Sequence, residues 1–527
     1  MSTDFDVIVI GGGHNGLTAA AWLAKAGRKV VVVERRNILG GAASTEELFP
    51  GFHFNTGAPD AGLLLPETAA ALDLEKYGLE FIESEVAAFA PQPDGGALTL
   101  WRDPEKSAAE ISAFSKKDAQ AFPEFTRRIQ RFAELLAEMA QLAPPSLRGN
   151  SPGLFLAWAG VALKMRLLGG REMMGFLRVL PMSAYQYLNE TFESDALKGL
   201  LASVSVTGSM QGPRASGTAF MLLYQQIGGQ NGGFRSSRAV RGGVGQLSIA
   251  LSRAAQAYGA QIRTGTGVKN ILVEKGGAIG VRLDNGEELR AKAVLSSADP
   301  RRTFLDLLGP AQLEPRLLRR LRNLKLRGST ASVHLALSGI PDFPPTKGEI
   351  RKLTGAIVIC PSLDYTERAY DEAKYGRFSS QPILEARIPS LLDASLAPAG
   401  QHTMSIIFRY APYQLRESGW DSESERLGDL AVNTLAQVAP NLKKLILNRR
   451  VITPLDYERD YGLSEGSIFH GQMGLDQLLL MRPVPGFTGY SSPIEGLFLC
   501  GAGAHPGGGV SGLPGLNAAR QAHKELR

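Results

Sequence analysis

Only two cysteines, Cys360 and Cys500, occur in 527 residues. That scarcity excludes a disulfide framework, a CxxC redox pair and a cysteine-ligated zinc site, and it predicts a reduced, cytoplasmic protein. No window offers the ~18 uncharged apolar residues of a spanning helix, and Met1 to Asp6 lacks the basic and apolar regions of a secretory signal. There is no Lys/Arg-rich run, and a formal charge of +6 is mild for this length, so nucleic acid is not an expected partner. HxxxH and HExxH pairs are missing, and no metal centre is expected. The hydrophobic share of 44% and charged share of 20% exclude wholesale disorder. What the chain has in excess is glycine, 60 residues crowded toward both ends without a period. Such crowding implies tight backbone turns, and the length suits two or three domains.

The N-terminal glycines sit in an informative context. Asp6 to Ile10 is a β-branched apolar run, the pattern of a strand buried on both faces. It leads into Gly11, Gly13 and Gly16 at GxGxxG spacing, with His14 and Asn15 between the last two. A helical pattern follows through Leu17, Ala20, Leu23 and Ala24 and stops at Gly27. A second buried strand, Lys29 to Val33, ends in Glu34, 18 residues after Gly16. Gly11 suits the sharp turn, Gly13 a close approach to pyrophosphate, and Gly16 tight packing of helix on strand. The helix N-terminus offers free N–H groups to phosphate, and Glu34 can accept both ribose hydroxyls. Together these read as a dinucleotide site. Arg35 and Arg36 are candidates for the phosphates or for a solvated surface.

The C-terminal glycines repeat the logic. Leu497 to Cys500 reads as a buried strand, Gly501 to Gly515 as a glycine-dense loop, and Leu516 to Arg520 as the opening of a last helix. Strand, loop and helix N-terminus again make a site for an anion or carbonyl group.

These segments carry a family resemblance. Glu34 to Ser44, with Gly40, Gly41 and Ala42, resembles the second glycine pair of amine oxidase and phytoene desaturase flavoproteins. Gly503 to Gly512 is similar to the closing signature of phytoene desaturase-like FAD oxidoreductases, which include carotenoid desaturases and ketolases. Gly466 to Gly471, Asp476-Gln477, Arg482-Pro483 and Arg241 to Leu247 are similar to the subgroup of pyridine nucleotide-disulfide oxidoreductase domain-containing protein 2. The resemblance implies FAD as cofactor, the Gly40-Gly41 turn beside the flavin half, and backbone at Val268 against the adenine. Gly501, Gly503, Gly512 and Leu513 would reach the ribityl chain and flavin ring.

The expected fold class is α/β: a doubly wound, Rossmann-type FAD-binding domain assembled from discontinuous segments, plus a mixed β-sheet and helical substrate domain. Residues 1–95, 236–312 and 466–527 are the three FAD-binding segments. A helical substrate or lid region spans 96–235, and the substrate-domain sheet and helices span 313–465. Phe125, Ile129, Phe132 and Leu136 share one helical face, and strands are expected at 331–337, 356–360, 383–388 and 403–409. Residues 151–187 join ten apolar residues to Lys164, Arg166, Arg171 and Arg178, which reads as a membrane-docking element or as a packed lid.

No second dinucleotide fingerprint follows, so electrons are expected to leave to oxygen or a quinone. The substrate itself would reduce the flavin by hydride transfer to N5. His505, in the terminal glycine loop, is the catalytic candidate, with backbone pinning as the alternative. His53, Arg214 and His470 are substrate candidates, and Arg482 could meet a carboxylate or carbonyl. The resemblance implies a lipophilic, carotenoid- or polyene-like small-molecule substrate. Peripheral membrane contact and a homodimer are the other expected partners. The rivals are an amine or small-molecule oxidase on this fold and a non-catalytic flavoprotein with a regulatory or structural role.

Overall fold

A computed structural model describes residues 4–145, 152–229 and 234–526. Met1 to Thr3 of the N-terminal stretch and Ser151, the first residue of the expected docking element, lie outside the described residues.

The two valine- and isoleucine-rich runs form β1 (Phe5–Ile10) and β2 (Val30–Val33), paired in parallel with Val7 opposite Val30. Five further strands complete the sheet: β3 (Gln261–Arg263), β4 (Val268–Glu274), β5 (Gly277–Leu283), β6 (Glu288–Ser296) and β7 (Leu497–Leu499). Their order is β4-β5-β6-β1-β2-β3, with β7 beside β6. The β7-β6-β1-β2-β3 part is parallel, whereas β4, β5 and β6 form an antiparallel meander turned at Asn285-Gly286. Val7, Ile8, Val9 and Val30 to Val32 are fully buried, as parallel strands covered on both faces require. Three widely separated stretches of chain therefore build one sheet.

Helix α1 (His14–Lys25) packs against the helix Gly245–Ala257 and the C-terminal helix Leu513–Glu525. A Cβ on Gly16 would stand 2.1 Å from the Gly11 carbonyl oxygen, so only glycine lets α1 start this close to the turn. The C-terminal helix begins at Leu513, a turn before the expected Leu516.

A second seven-stranded sheet has the order Ile446–Ile452, Thr330–Leu337, His402–Arg409, Leu384–Arg387, Ala356–Ile359, Val86–Pro91, Ala97–Trp101. It is antiparallel except where Ala356–Ile359 runs parallel to Val86–Pro91. The four strands expected here are present. The hairpin 86–101 corrects the expected boundary at 95: it belongs to this sheet, because a wholly buried Val86–Pro91 pairs with a strand far along the chain.

Helices cover one side of this second body. α2 (Lys116–Gln141) is capped by Ser115, whose Oγ accepts from Asp118 N–H (3.1 Å), and buries Phe122, Phe125, Ile129, Phe132 and Leu136. α3 (Pro152–Leu167) and α4 (Gly170–Val179) meet at 115°. Among the described residues no single helix is long and apolar enough to cross a membrane. Yet α3 buries only Val161 and leaves Phe155, Leu156 and Leu167 67%, 68% and 76% exposed.

Candidate functional site

A cavity of about 420 Å³ lies where the carboxyl ends of β1, β2 and β6 face the second sheet, the usual ligand position in an open α/β sheet. Ile10, Val33, Ser297 and Val268 line it from the first sheet, and Thr330, Glu385, Ile407 and Arg409 from the second.

On the first-sheet side, Glu34 is buried and lines the cavity. Its Oε2 accepts from Gly12 N–H (2.7 Å) and its Oε1 from Arg36 N–H (2.8 Å), so the backbone aims the carboxylate and leaves lone pairs for a ligand. Gly11, Gly13, His14 and Asn15 also line the cavity. The N-terminus of α1 has no side-chain cap, and the Asn15 Oδ1 is buried without a partner. Gly40 N–H donates to the Gly12 carbonyl (2.8 Å), which lays the second glycine turn beside the first, with Gly40, Gly41 and Ala42 lining the same space. Arg35 lines it too while donating to the Arg459 and Asp460 carbonyls (3.1 and 2.6 Å). Arg36 instead pairs with Glu46 (2.7 Å) and stacks on the Tyr461 ring.

From the C-terminal loop Ala502, Gly509 and Val510 face the cavity, which corrects the expected set. Gly501 packs on the Ser297 carbonyl and Gly503 on the Pro300 ring. Gly512 caps the C-terminal helix, and Leu513 packs against Leu65 and Ala140. The loop is close-packed, and only its inner turn reaches the space. Gly16 likewise serves packing and does not line the cavity.

The histidines separate. His14 lines the cavity and its Nε2 donates to the Gly509 carbonyl (3.2 Å); burial pushes its pKa down to about 4. His470 also lines the cavity, with a buried Nδ1 that has no partner and a pKa lowered chiefly by burial. His505 does not line it. Its Nε2 donates to the Met139 carbonyl at the end of α2 (3.2 Å), so backbone pinning describes it. His53 sits in the hairpin Thr45–Phe49/Phe52–Asn55 opposite Glu47, off the cavity. Arg214 is at the surface, paired with Asp364 (3.0 Å) and stacked on Tyr185. Arg482 is spent on carbonyls: it donates to Phe469 (2.6 Å), Ala502 (2.7 Å) and Gln477 (3.2 Å) and ties two loops together. Among the described residues no three of His, Cys, Asp or Glu cluster as metal ligands.

Sequence reasoning missed Gly57 to Asp60, Thr207, Gln225, Arg235, Glu385 and Arg409, which line the cavity on its second-sheet side. A signal existed: Glu385 and Arg387 interrupt the apolar run Ile383 to Ile388.

The model of flavin-containing amine oxidoreductases matches residues 16–521. The chain belongs to this family. A rat protein named pyridine nucleotide-disulfide oxidoreductase domain-containing protein 2 is 35% identical, covering 100% of this chain and 94% of its own. A limonene dehydrogenase component from Castellaniella defragrans is 30% identical over 99% and 95%. Phytoene desaturases are also among the relatives, as the motifs imply. An oxidoreductase structure from Methanosarcina mazei matches with a TM-score of 0.61 at 17% identity, over 98% and 99% of the two chains, which shows the fold. The protein is an FAD-dependent oxidoreductase. The residues fit that cofactor: an uncapped helix N-terminus and the orphaned Asn15 oxygen meet a polar ligand, and Glu34 meets a diol.

Proposed function

We propose that this family member dehydrogenates a lipophilic small molecule and passes the electrons to oxygen or a quinone. The observation that carries the reading is the shared cavity. Residues of the glycine turns and of the second sheet bound one space, so a substrate can lie beside the cofactor. In this reading the α1 N-terminus holds the pyrophosphate, Glu34 the ribose, Val268 the adenine and Gly40-Gly41 the flavin half. FAD, when bound, supplies the acceptor for a hydride. Leu63, Ile407, Ile468, Phe469 and Val510 give the substrate apolar walls that exclude water.

The names limonene dehydrogenase and phytoene desaturase among the relatives support a lipophilic substrate. None of the described residues 152–187 lines the cavity, so that stretch is not its mouth. Its exposed Phe155, Leu156, Leu163 and Leu167, beside exposed Arg166 and Arg171, suit an anionic lipid surface from which such a substrate comes. A protonated amine is disfavoured, because three cavity-side arginines outnumber the two carboxylates they contact.

Anaerobic mixing of the yellow protein with terpenes, carotenoids, fatty acids and amines tests this. Bleaching by a lipophilic member, reversed by air or a quinone, is expected. Bleaching by amines alone would replace the reading with amine oxidation. A flavin that no substrate bleaches, and that dithionite also leaves coloured, would make the protein a non-catalytic flavoprotein.

A further inference from the structure

Glu385 is the hub of a buried ionic cluster on the second-sheet side of the cavity. Its Oε1 accepts from Arg235 Nη2 (2.7 Å) and Arg387 Nε (3.2 Å), and its Oε2 from Arg409 Nη2 (2.8 Å). Asp60 shares Arg235 (3.2 Å) and Arg387 (3.4 Å) and accepts further from Ser237 Oγ and Gly62 N–H. The Asp60, Arg235, Glu385 and Arg409 side chains are nine-tenths or more buried, and all four residues line the cavity.

The charges do not balance. Three guanidinium groups face two carboxylates and leave one positive charge in excess. Burial alone would raise the Glu385 pKa, but Arg235, Arg387 and Arg409 hold it far below the usual carboxylate range, so it stays ionised. His334, which lines a small adjoining cavity with Glu385 and Arg387, is pushed down to about 4 by burial and adds no charge near neutral pH. Beside the cluster, Arg102 and Arg238 add positive charge and the exposed Glu83 adds negative. Donors are in excess as well: Arg409 Nε, Arg235 Nε and Arg387 Nη2 are buried without a partner among the described residues. An unbalanced buried cation with idle N–H groups is costly unless an anion completes it.

We propose that Arg409 and Arg235 bind a carboxylate of the substrate, which is therefore a lipophilic acid and not a pure hydrocarbon. The one excess charge within the contacting cluster matches a monoanion. Arginine pairs with the planar carboxylate in fork geometry, and Thr207, which accepts from Arg409 Nη1 (2.9 Å), steadies the fork. The apolar walls take the carbon skeleton. This deepens the lipophilic-substrate reading above and rests on it for the identity of the site.

The test is binding to the flavin-loaded protein, read by the flavin difference spectrum and by thermal shift. Decanoate is expected to bind at least about tenfold tighter than decanamide or decan-1-ol, the size of a charge-assisted hydrogen bond. Arg409→Gln, checked for flavin content, is expected to lose that preference while its decanamide affinity holds. Arg235→Lys, which keeps the charge, is expected to retain most of it. Equal affinities for decanoate and decanamide in the unmodified protein, or no decanoate binding, would overturn the proposal even if the variants fail to fold. Retention of the preference by a folded Arg409→Gln would do the same. Decanoate binding in a protein whose flavin no substrate bleaches would leave the anion site standing and sink the dehydrogenase reading instead.

Discussion

Gly515, in the first turn of the C-terminal helix, lies so close to Asn15 that a Cβ on it would stand 1.9 Å from the Asn15 carbonyl oxygen. The two glycine-dense ends of the chain meet at this contact. The helix start of α1 and the loop carrying Gly509 and Val510 are held together there, which sets one wall of the cavity.

Replacing that glycine should separate the ends. Gly515→Leu is expected to cost about 1–3 kcal/mol or more through overpacking against backbone that cannot yield. Calorimetry should show a lower Tm, and the flavin-to-protein ratio of the purified variant should fall. Unchanged values on both counts would mean that the contact does not govern the site.

Glu385→Gln removes a carboxylate that three arginines share, and breaking a buried ion cluster in this way should destabilise by about 3–5 kcal/mol. The folded-state pKa of Glu385 is depressed, so its contribution is present above the unfolded value of about 4.3 and is lost as pH falls below it. Urea unfolding followed from pH 7 to pH 3 should show the variant losing less stability than the parent at the acid end. Parallel curves would refute the assignment.

His505 holds the end of α2, and its substitution should affect stability more than chemistry. Burial lowers the pKa of His14, His334 and His505 to about 4, so each contributes stability above its ordinary value near 6.5 that is lost as pH falls toward 4. His505→Gln can still donate to the Met139 carbonyl. Its turnover should stay within a few-fold of the parent, and its loss of stability between pH 6.5 and 4 should be shallower. A drop in turnover with unchanged Tm would return His505 to the catalytic list.

The exposed face of α3 makes few contacts within the protein, so charge placed there should leave the fold intact. Leu156→Glu is expected to change stability by less than about 0.5 kcal/mol while weakening flotation with vesicles rich in anionic lipid. Unchanged flotation combined with dissociation of an oligomer on sizing would assign the face to a second copy of the chain.

Local signals made much of this protein readable before any fold was known. The β-branched runs of β1 and β2, the glycine spacing between them and the acid at position 34 are short-range patterns. Strand, turn and helix propensities act over a few residues, so they identify the dinucleotide half without tertiary information. The heavy glycine usage at the C-terminus likewise announced a tight loop. It could not announce which of its residues would face inward, because that depends on which backbone packs against Ser297 and Pro300.

The charged wall of the cavity lay beyond such reading. Asp60, Arg235, Glu385 and Arg409 are scattered over some 350 positions, and each alone looks like an ordinary surface charge. Sheet pairing brings them together: Glu385 lies opposite Ile407 on the neighbouring strand, two residues from Arg409 and on the same face. The composition and short spacings of this chain determined that it would cradle a dinucleotide. Burial and long-range strand register, which no local window contains, decided which charges would look into the space beside it.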